Sequence, residues 1–355
     1  MSDATKIEWT DRTWNPVRGC TRVSEGCRNC YAERTAVRHA GPGRPYEDLA
    51  KSTPGGPRWT GVAKLFPHKL AEPLGWREPS KVFVNSMSDL FHESLAFEEI
   101  AAVFGVMAAA QRHTFQVLTK RPARALEWFE WIADQGEELE AAVGDKPEGV
   151  GAAASACAIF AEQTAGPNLL EAYSQPWPLP NVWLGVSVED QATAEERIPL
   201  LLECPAALRF VSYEPALGPV DFEALIVQRG GVVGQLNALG CSWWPAIGDA
   251  DEEERRREEV EAIDWVIVGG DSARECDLGW IRLAVEQCAG VGIPAFVKQL
   301  GARPVTRPHA IPGGLARPHW SNVPGRPLDL RHPKGGDPEE WPEDLQVRQF
   351  PEVAA

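Results

Sequence analysis

Three cysteines near the start of the chain have the spacing with the clearest chemical content. Cys20, Cys27 and Cys30 lie in WNPVRGCTRVSEGCRNCYAE, a C-x6-C-x2-C pattern. Cys27 and Cys30 are close enough to share one metal centre, and Gly19 and Gly26 let the loop bring Cys20 back to it. Thiolates suit both zinc and iron–sulfur centres. No fourth cysteine lies nearby. Structural zinc closes its shell with four ligands, and here His39 or His68 could complete it. A [4Fe-4S] cluster on three cysteines leaves one iron open to an outside ligand. A third reading is three reduced cysteines in an ordinary core. The other five, Cys157, Cys204, Cys241, Cys276 and Cys288, are scattered and read as small buried hydrophobes. Eight cysteines in 355 residues are too sparse for a disulfide framework.

Polar residues recur at a second kind of place, the ends of short apolar runs. The runs are Lys81–Asn85, Thr114–Thr119, Val182–Val188, Leu208–Ser212, Trp265–Gly269 and Pro294–Lys298. They finish in Ser86-Met87-Ser88-Asp89, Lys120-Arg121, Ser187-Val188-Glu189-Asp190, Ser212-Tyr213-Glu214, Gly269-Gly270-Asp271-Ser272 and Lys298-Gln299. In a parallel barrel all such ends gather at the face that carries the chemistry. Asp89, Lys120, Glu214 and Lys298 are the candidate catalytic residues, placed in the substrate or cofactor pocket at that face, where a Lys can bind a phosphate or carboxylate. Gly269-Gly270 also lets a backbone approach a ligand closely.

These ends need elements to position them. The runs are apolar on both faces, as in a covered parallel sheet. Helical patterns fall between most of them, at Phe97–Gln111, Arg124–Asp134, Ala192–Glu203 and Gly279–Ala289. Strand–helix repetition predicts βαβ units, and a further strand near Trp14–Val17 makes about seven. The predicted fold is α/β, a full or partial parallel (β/α) barrel of TIM type over residues 1–301. Two insertions, at about 135–180 and 228–262, read as loop elaborations or lids. A Pro/Gly-rich tail, 302–355, is expected to pack on the barrel without adding a strand.

Composition narrows the class. The chain has no apolar run of 18 residues, so no transmembrane helix is expected. No basic start followed by an apolar stretch marks a secretory signal, so the expectation is a cytoplasmic protein. Formal net charge is −16, against coating nucleic acid through global charge. The charge is uneven: residues 1–70 carry 12 Lys/Arg against seven Asp/Glu, which is +5 and leaves −21 for the remainder. A local anionic ligand is compatible with that segment. A conventional barrel hydrolase using Glu189, Glu214 and Asp271 is a competing reading. No G-x-S-x-G elbow supports a serine nucleophile.

A three-cysteine loop after the first strand of a βα barrel resembles the radical S-adenosylmethionine superfamily. More closely, the chain is similar to a phage-associated bacterial family of radical-SAM-like proteins of unknown function. The matching stretches include IEWTDRTWNPVRGCTRVSEGCRNCYAE, VFVNSMSDLFH, TFQVLTKRP, RFVSYEPALGPVDF and KGGDPEEWPEDL. The resemblance implies an enzyme with a [4Fe-4S] cluster on Cys20, Cys27 and Cys30, whose open iron takes S-adenosylmethionine. It places the second-strand cofactor motif at Ser86-Met87-Ser88-Asp89, in place of the usual Gly-Gly-Glu. It turns Ser187, Glu189, Ser212 and Glu214 toward the cofactor's ribose and methionine, and Gly269, Gly270, Asp271 and Ser272 toward adenine or substrate. It also implies an electron donor of flavodoxin or ferredoxin type and a nucleic acid or nucleotide as the candidate substrate. The alternative is a zinc- or cluster-binding non-catalytic module of a phage or mobile-element system. Two departures stand out: the cysteine spacing is three residues longer than the commonest one, and Asn29 precedes Cys30 where an aromatic is usual.

Overall fold

The computed structural model describes residues 5–143, 151–166, 172–173, 175–245, 258–307 and 324–352. It divides into two compact units, Met1–Val186 with Leu200–Arg209, and Ser187–Pro199 with Phe210–Ala355.

Six strands follow the predicted apolar runs, while the first lies at Arg12–Trp14, ahead of the expected Trp14–Val17. They are β1 (Arg12–Trp14), β2 (Lys81–Val84), β3 (Thr114–Thr119), β4 (Val182–Val188), β5 (Leu208–Tyr213), β6 (Trp265–Gly269) and β7 (Ala295–Gln299). They form one seven-stranded parallel sheet of half-barrel type whose spatial order is the chain order. Every residue of β4 and β5 is buried, the pattern of strands covered on both faces. Register is regular on β3, where Phe115 pairs with Val182 and Thr119 with Val186.

The longer helices among the described residues are α1 (Tyr31–Val37), α2 (Phe97–Ala109), α3 (Pro122–Val143), α4 (Ala152–Ala165), α5 (Gln191–Glu203) and α6 (Leu278–Val291). The Glu99 side chain accepts the Ala96 backbone N–H at 2.9 Å and so caps the start of α2. From Ile100 to Ala109 every residue of α2 is buried, as in a helix apolar all round.

The first predicted insertion is not a lid over its described part. There α3 runs on to Val143, and α4 packs on α2 with Ala153, Ala154, Ala156, Cys157, Ala158 and Ala161 buried. Its Ala-rich composition suits close helix packing. A Cβ on Gly105 of α2 would lie 2.3 Å from the Cys157 carbonyl oxygen. Gly105→Leu should therefore cost about 3 kcal/mol through overpacking, more than the roughly 1 kcal/mol that helix propensity returns. Urea unfolding of the variant checks this, and an unchanged midpoint would refute the close α2–α4 contact.

The second insertion builds an antiparallel sheet from Leu225–Arg229, Val232–Asn237, Ser242–Pro245 and Glu258–Glu259. Most of its acidic–basic run, residues 246–257, lies outside the described residues. The tail lies along β7. Val297 N–H donates to the Val347 carbonyl at 2.8 Å, Gln349 N–H donates to Ala295 at 2.9 Å, and an isolated bridge forms at Phe296–Arg348. Against expectation the tail also contributes strands, Arg303–Thr306 and Arg326–Pro327, which join Glu275–Asp277 in a small separate sheet. Phe350 stacks on Trp265 and Phe296. Among the described residues no helix is long and apolar enough to cross a membrane.

Candidate functional site

The cysteine loop rests on the end of β2. After Trp14, Val17 and Arg18 pair with Leu65 and Lys64. Gly19 then takes a φ of +93°, and a Cβ there would lie 2.2 Å from the Val62 carbonyl oxygen. Only glycine meets both conditions. Asn85, left-handed at φ 61°, accepts the Val17 N–H at 3.2 Å. Ser88 Oγ donates to the Val17 carbonyl at 3.0 Å. Ser86 Oγ bonds Asn15 Oδ1 at 3.1 Å, and the same oxygen accepts Met87 N–H at 3.0 Å. The Ser86 and Ser88 hydroxyls thus fasten the start of the loop.

Two polar clamps hold the loop that carries the thiols. Arg22, between Cys20 and Cys27, makes a bidentate pair with buried Glu33 on α1; Nε lies 2.9 Å and 3.1 Å from the two carboxylate oxygens. Glu33 also accepts the Trp59 N–H at 3.2 Å. The second clamp is Arg121, at the end of β3. Its Nη1 lies 3.9 Å from Cys20 Sγ and 3.0 Å from Asp89, Nη2 donates to the Thr21 carbonyl at 3.1 Å, and Nε donates to Glu93 at 2.9 Å. Asp89 accepts Thr119 Oγ1 at 2.8 Å and the backbone N–H groups of Phe91 and Lys120 at 3.0 Å. Its carboxylate is engaged on both oxygens, so it positions Arg121. The Ser94 N–H donates to His92 Nδ1, so the neutral ring carries its proton on Nε2 and donates to Thr21 Oγ1 at 2.8 Å.

Removing Glu33 should release the loop. Glu33→Ala leaves the Trp59 N–H buried without its acceptor and costs about 2–3 kcal/mol. Urea denaturation measures the loss; a change under about 0.5 kcal/mol would mean that the clamp does not hold the loop.

The three cysteines are free and half-buried, and Cys20 and Cys30 pack against the apolar group of Ala32, Ala36, Tyr46, Leu49, Ala50, Trp59 and Met87. Burial, followed by the Asp89 carboxylate, pushes the Cys20 thiol up to about 12; burial likewise raises Cys30. Cys27 and Cys30 add to the rise at Cys20, and Cys27 to that at Cys30. Burial works against the charge on Arg121, yet Asp89, Cys20 and Glu93 together raise its pKa. Burial and Arg121 lower that of His92.

A structural zinc draws four ligands onto one point. Among the described residues no group of three His, Cys, Asp or Glu side chains is arranged to hold a single ion, so neither His39 nor His68 joins the cysteines in one. A cluster presents its irons at separate corners and takes one thiolate each. Cys20, Cys27 and Cys30 would be the thiols for such a group, and Arg121 Nη1 lies 3.9 Å from the first of them. Asn85 Nδ2 is also a buried donor with no hydrogen-bond partner among the described residues, and such a group calls for an acceptor from water or ligand.

The second unit gathers the other predicted residues. Lys298 Nζ lies 2.9 Å from both Glu214 oxygens, and Gln299 Nε2 joins Glu214 at 3.0 Å to the Gly270 carbonyl at 2.9 Å. Glu189 forms a buried pair with Arg197 at 3.2 Å, and Arg197 also donates to the Ser187 carbonyl at 2.6 Å. Ser187 Oγ lies 3.4 Å from the Glu214 carbonyl. Asp271 turns back on its own loop, accepting the Ala273 and Arg274 N–H groups at 2.5 Å and 2.6 Å and pairing with Arg274 Nε. A Cβ on Gly270 would meet the Leu300 carbonyl oxygen at 2.5 Å, so that glycine is required by chain packing. Ser212 is buried on β5, and Ser272 lies half-buried after β6.

Sequence reading missed Arg22, Glu33, His92 and Arg121 as parts of the site. Glu33 had one signal: an acid between Ala32 and Ala36 on a short helix beside a cysteine. Arg121 stands at a polar strand end in the sequence, but its contact with Cys20 has no sequence signal, since it spans 101 residues.

The profile of the family described as protein of unknown function (DUF5131) matches residues 4–329. No curated protein and no solved structure matches.

Proposed function

We propose that this chain, which belongs to the DUF5131 family of proteins of unknown function, is an iron–sulfur enzyme of the radical S-adenosylmethionine type on a partial barrel. One observation carries the reading. Three neighbouring half-buried thiols at C-x6-C-x2-C spacing follow the first strand of a parallel sheet, and a buried arginine faces one of them. Cys20, Cys27 and Cys30 would hold a [4Fe-4S] cluster. When bound, the cluster supplies one electron, from a donor of flavodoxin or ferredoxin type, and S-adenosylmethionine supplies the carbon radical that removes hydrogen from the substrate.

The chain's own residues have simpler tasks. Arg121 sets a permanent positive charge beside the Cys20 sulfur and offsets the negative charge that three thiolates bring into a half-buried site. Arg22 and Glu33 keep Cys20 and Cys27 on one fixed loop. Asp89 orients Arg121, and its contacts to Thr119 and Lys120 tie the end of β2 to that of β3. Lys120, at the same strand end, is assigned to polar groups of cofactor or substrate. In the second unit Lys298 and Glu214 are paired with each other.

Protein purified and reconstituted without oxygen tests the proposal. About four iron and four sulfide per chain are expected, followed by 5′-deoxyadenosine when dithionite and S-adenosylmethionine are added. One zinc without sulfide, or a loaded cluster that never cleaves the cofactor, would overturn it.

A further inference from the structure

Residues 18–64 of the first unit hold Arg18, Arg38, Arg44, Lys51, Arg58 and Lys64, and among the described residues none of these six forms an ion pair. Four of them face each other in pairs. Lys51 is directly opposite Arg58 in the ribbon of Ala50–Thr53 and Gly56–Trp59, and Arg18 is directly opposite Lys64 in that of Val17–Arg18 and Lys64–Leu65. Like charges placed opposite one another destabilise a strand pair. The fold carries that cost twice within one segment.

Tyr46 ties the two ribbons together. Arg18 lies over its ring at 5.5 Å and over Phe66 at 4.7 Å, and the Tyr46 ring meets Trp59 at 6.4 Å. Arg44 donates to the Arg38 carbonyl at 3.3 Å, and Tyr46 N–H donates to His39 at 3.1 Å, so the remaining two cations join the same patch. The acids in this stretch do little to cancel it. Glu33 is taken by Arg22, Glu25 pairs with Arg28, Glu47 accepts the Gly43 N–H, and Asp48 is exposed. At physiological salt, charges more than about 8 Å away are largely screened, so the net −16 of the chain does not erase a local cationic face.

We propose that this face binds the phosphodiester backbone of a nucleic acid. The paired cations supply phosphate contacts, and the ring of Tyr31, 48% exposed beside Cys30, is a stacking surface for a base. That the nucleic acid is also the substrate rests on the enzymatic reading above; the binding does not.

Fluorescence anisotropy with single-stranded DNA, single-stranded RNA and duplex oligonucleotides tests it on the full chain, with and without cluster reconstitution. On a single strand six phosphate contacts give a log–log salt slope of about −4, or about 300-fold weaker binding between 50 and 200 mM salt; on a duplex the slope is about −5. The double variant Lys51→Glu, Lys64→Glu should bind about 10- to 100-fold more weakly at low salt. Because each substitution turns a repulsive pair into an attractive one, its thermal midpoint should not fall. Unchanged binding by the double variant, or no salt-sensitive binding of any oligonucleotide, overturns the proposal. Retention on anionic lipid vesicles with no oligonucleotide binding overturns it in favour of a membrane surface. Binding by protein that takes up no cluster would leave this proposal standing while the enzymatic reading fails.

Discussion

On the proposed reading, replacing Cys20, Cys27 or Cys30 by Ser, one at a time, is expected to strip iron and sulfide from the anaerobically reconstituted protein and to abolish 5′-deoxyadenosine formation. A hydroxyl is a poor substitute for a soft thiolate. The loop has no fourth cysteine to take over, and Cys157, Cys204, Cys276 and Cys288 are buried elsewhere. The loss should exceed about 100-fold in cofactor cleavage, above the 10–100-fold that supporting residues around a metal typically cost. Cys241 is exposed and lies outside the loop, so Cys241→Ser is the control expected to load normally. Circular dichroism separates a ligand effect from unfolding, since half-buried thiols tolerate an isosteric exchange. A full complement of iron in folded Cys20→Ser would remove that residue from the ligand set.

Asp89→Ala is expected to be among the most damaging single changes to stability. Arg121 is 7% exposed and cannot rehydrate when its partner is lost. Breaking a buried pair by removing one member costs about 3–5 kcal/mol, and the Lys120 and Phe91 N–H groups lose their acceptors as well. Asp89→Asn keeps the shape and should fall between wild type and Ala. Adding Arg121→Met to Asp89→Asn should recover part of the loss, because the stranded charge goes with it. Urea unfolding at neutral pH measures all three. A loss below about 1 kcal/mol in Asp89→Ala would show that Arg121 is held by Glu93 and the Thr21 carbonyl alone.

The two predictions differ in how far sequence supports them. The cysteine spacing is legible because three identical, unusual side chains lie within eleven residues. The parallel sheet is legible because strands covered on both faces read as short, continuous apolar runs, so even the bounds of Thr114–Thr119, Val182–Val188 and Trp265–Gly269 are recovered. The described part of 135–180 misled for a physical reason. Ala and Gly read as a loop by composition, whereas at the α2–α4 contact their lack of bulk lets Cys157 approach Gly105.

The sequence by itself determined which residues have the chemistry: three thiols, a row of polar strand ends and a basic first segment in an acidic chain. Only the tertiary structure decided what each is committed to. Asp89 reads as a candidate residue of the substrate or cofactor pocket, yet its oxygens are filled by Thr119, Arg121 and two backbone N–H groups. Gly270 reads as room for a ligand, yet the Leu300 backbone fills that room. Arg121 reaches Cys20 only because the chain turns back on itself between β1 and β3. Apolar periodicity is a local property and survives in one dimension. The pairing of polar groups depends on which distant segments meet, and each such group bonds whatever the fold brings within about 3 Å.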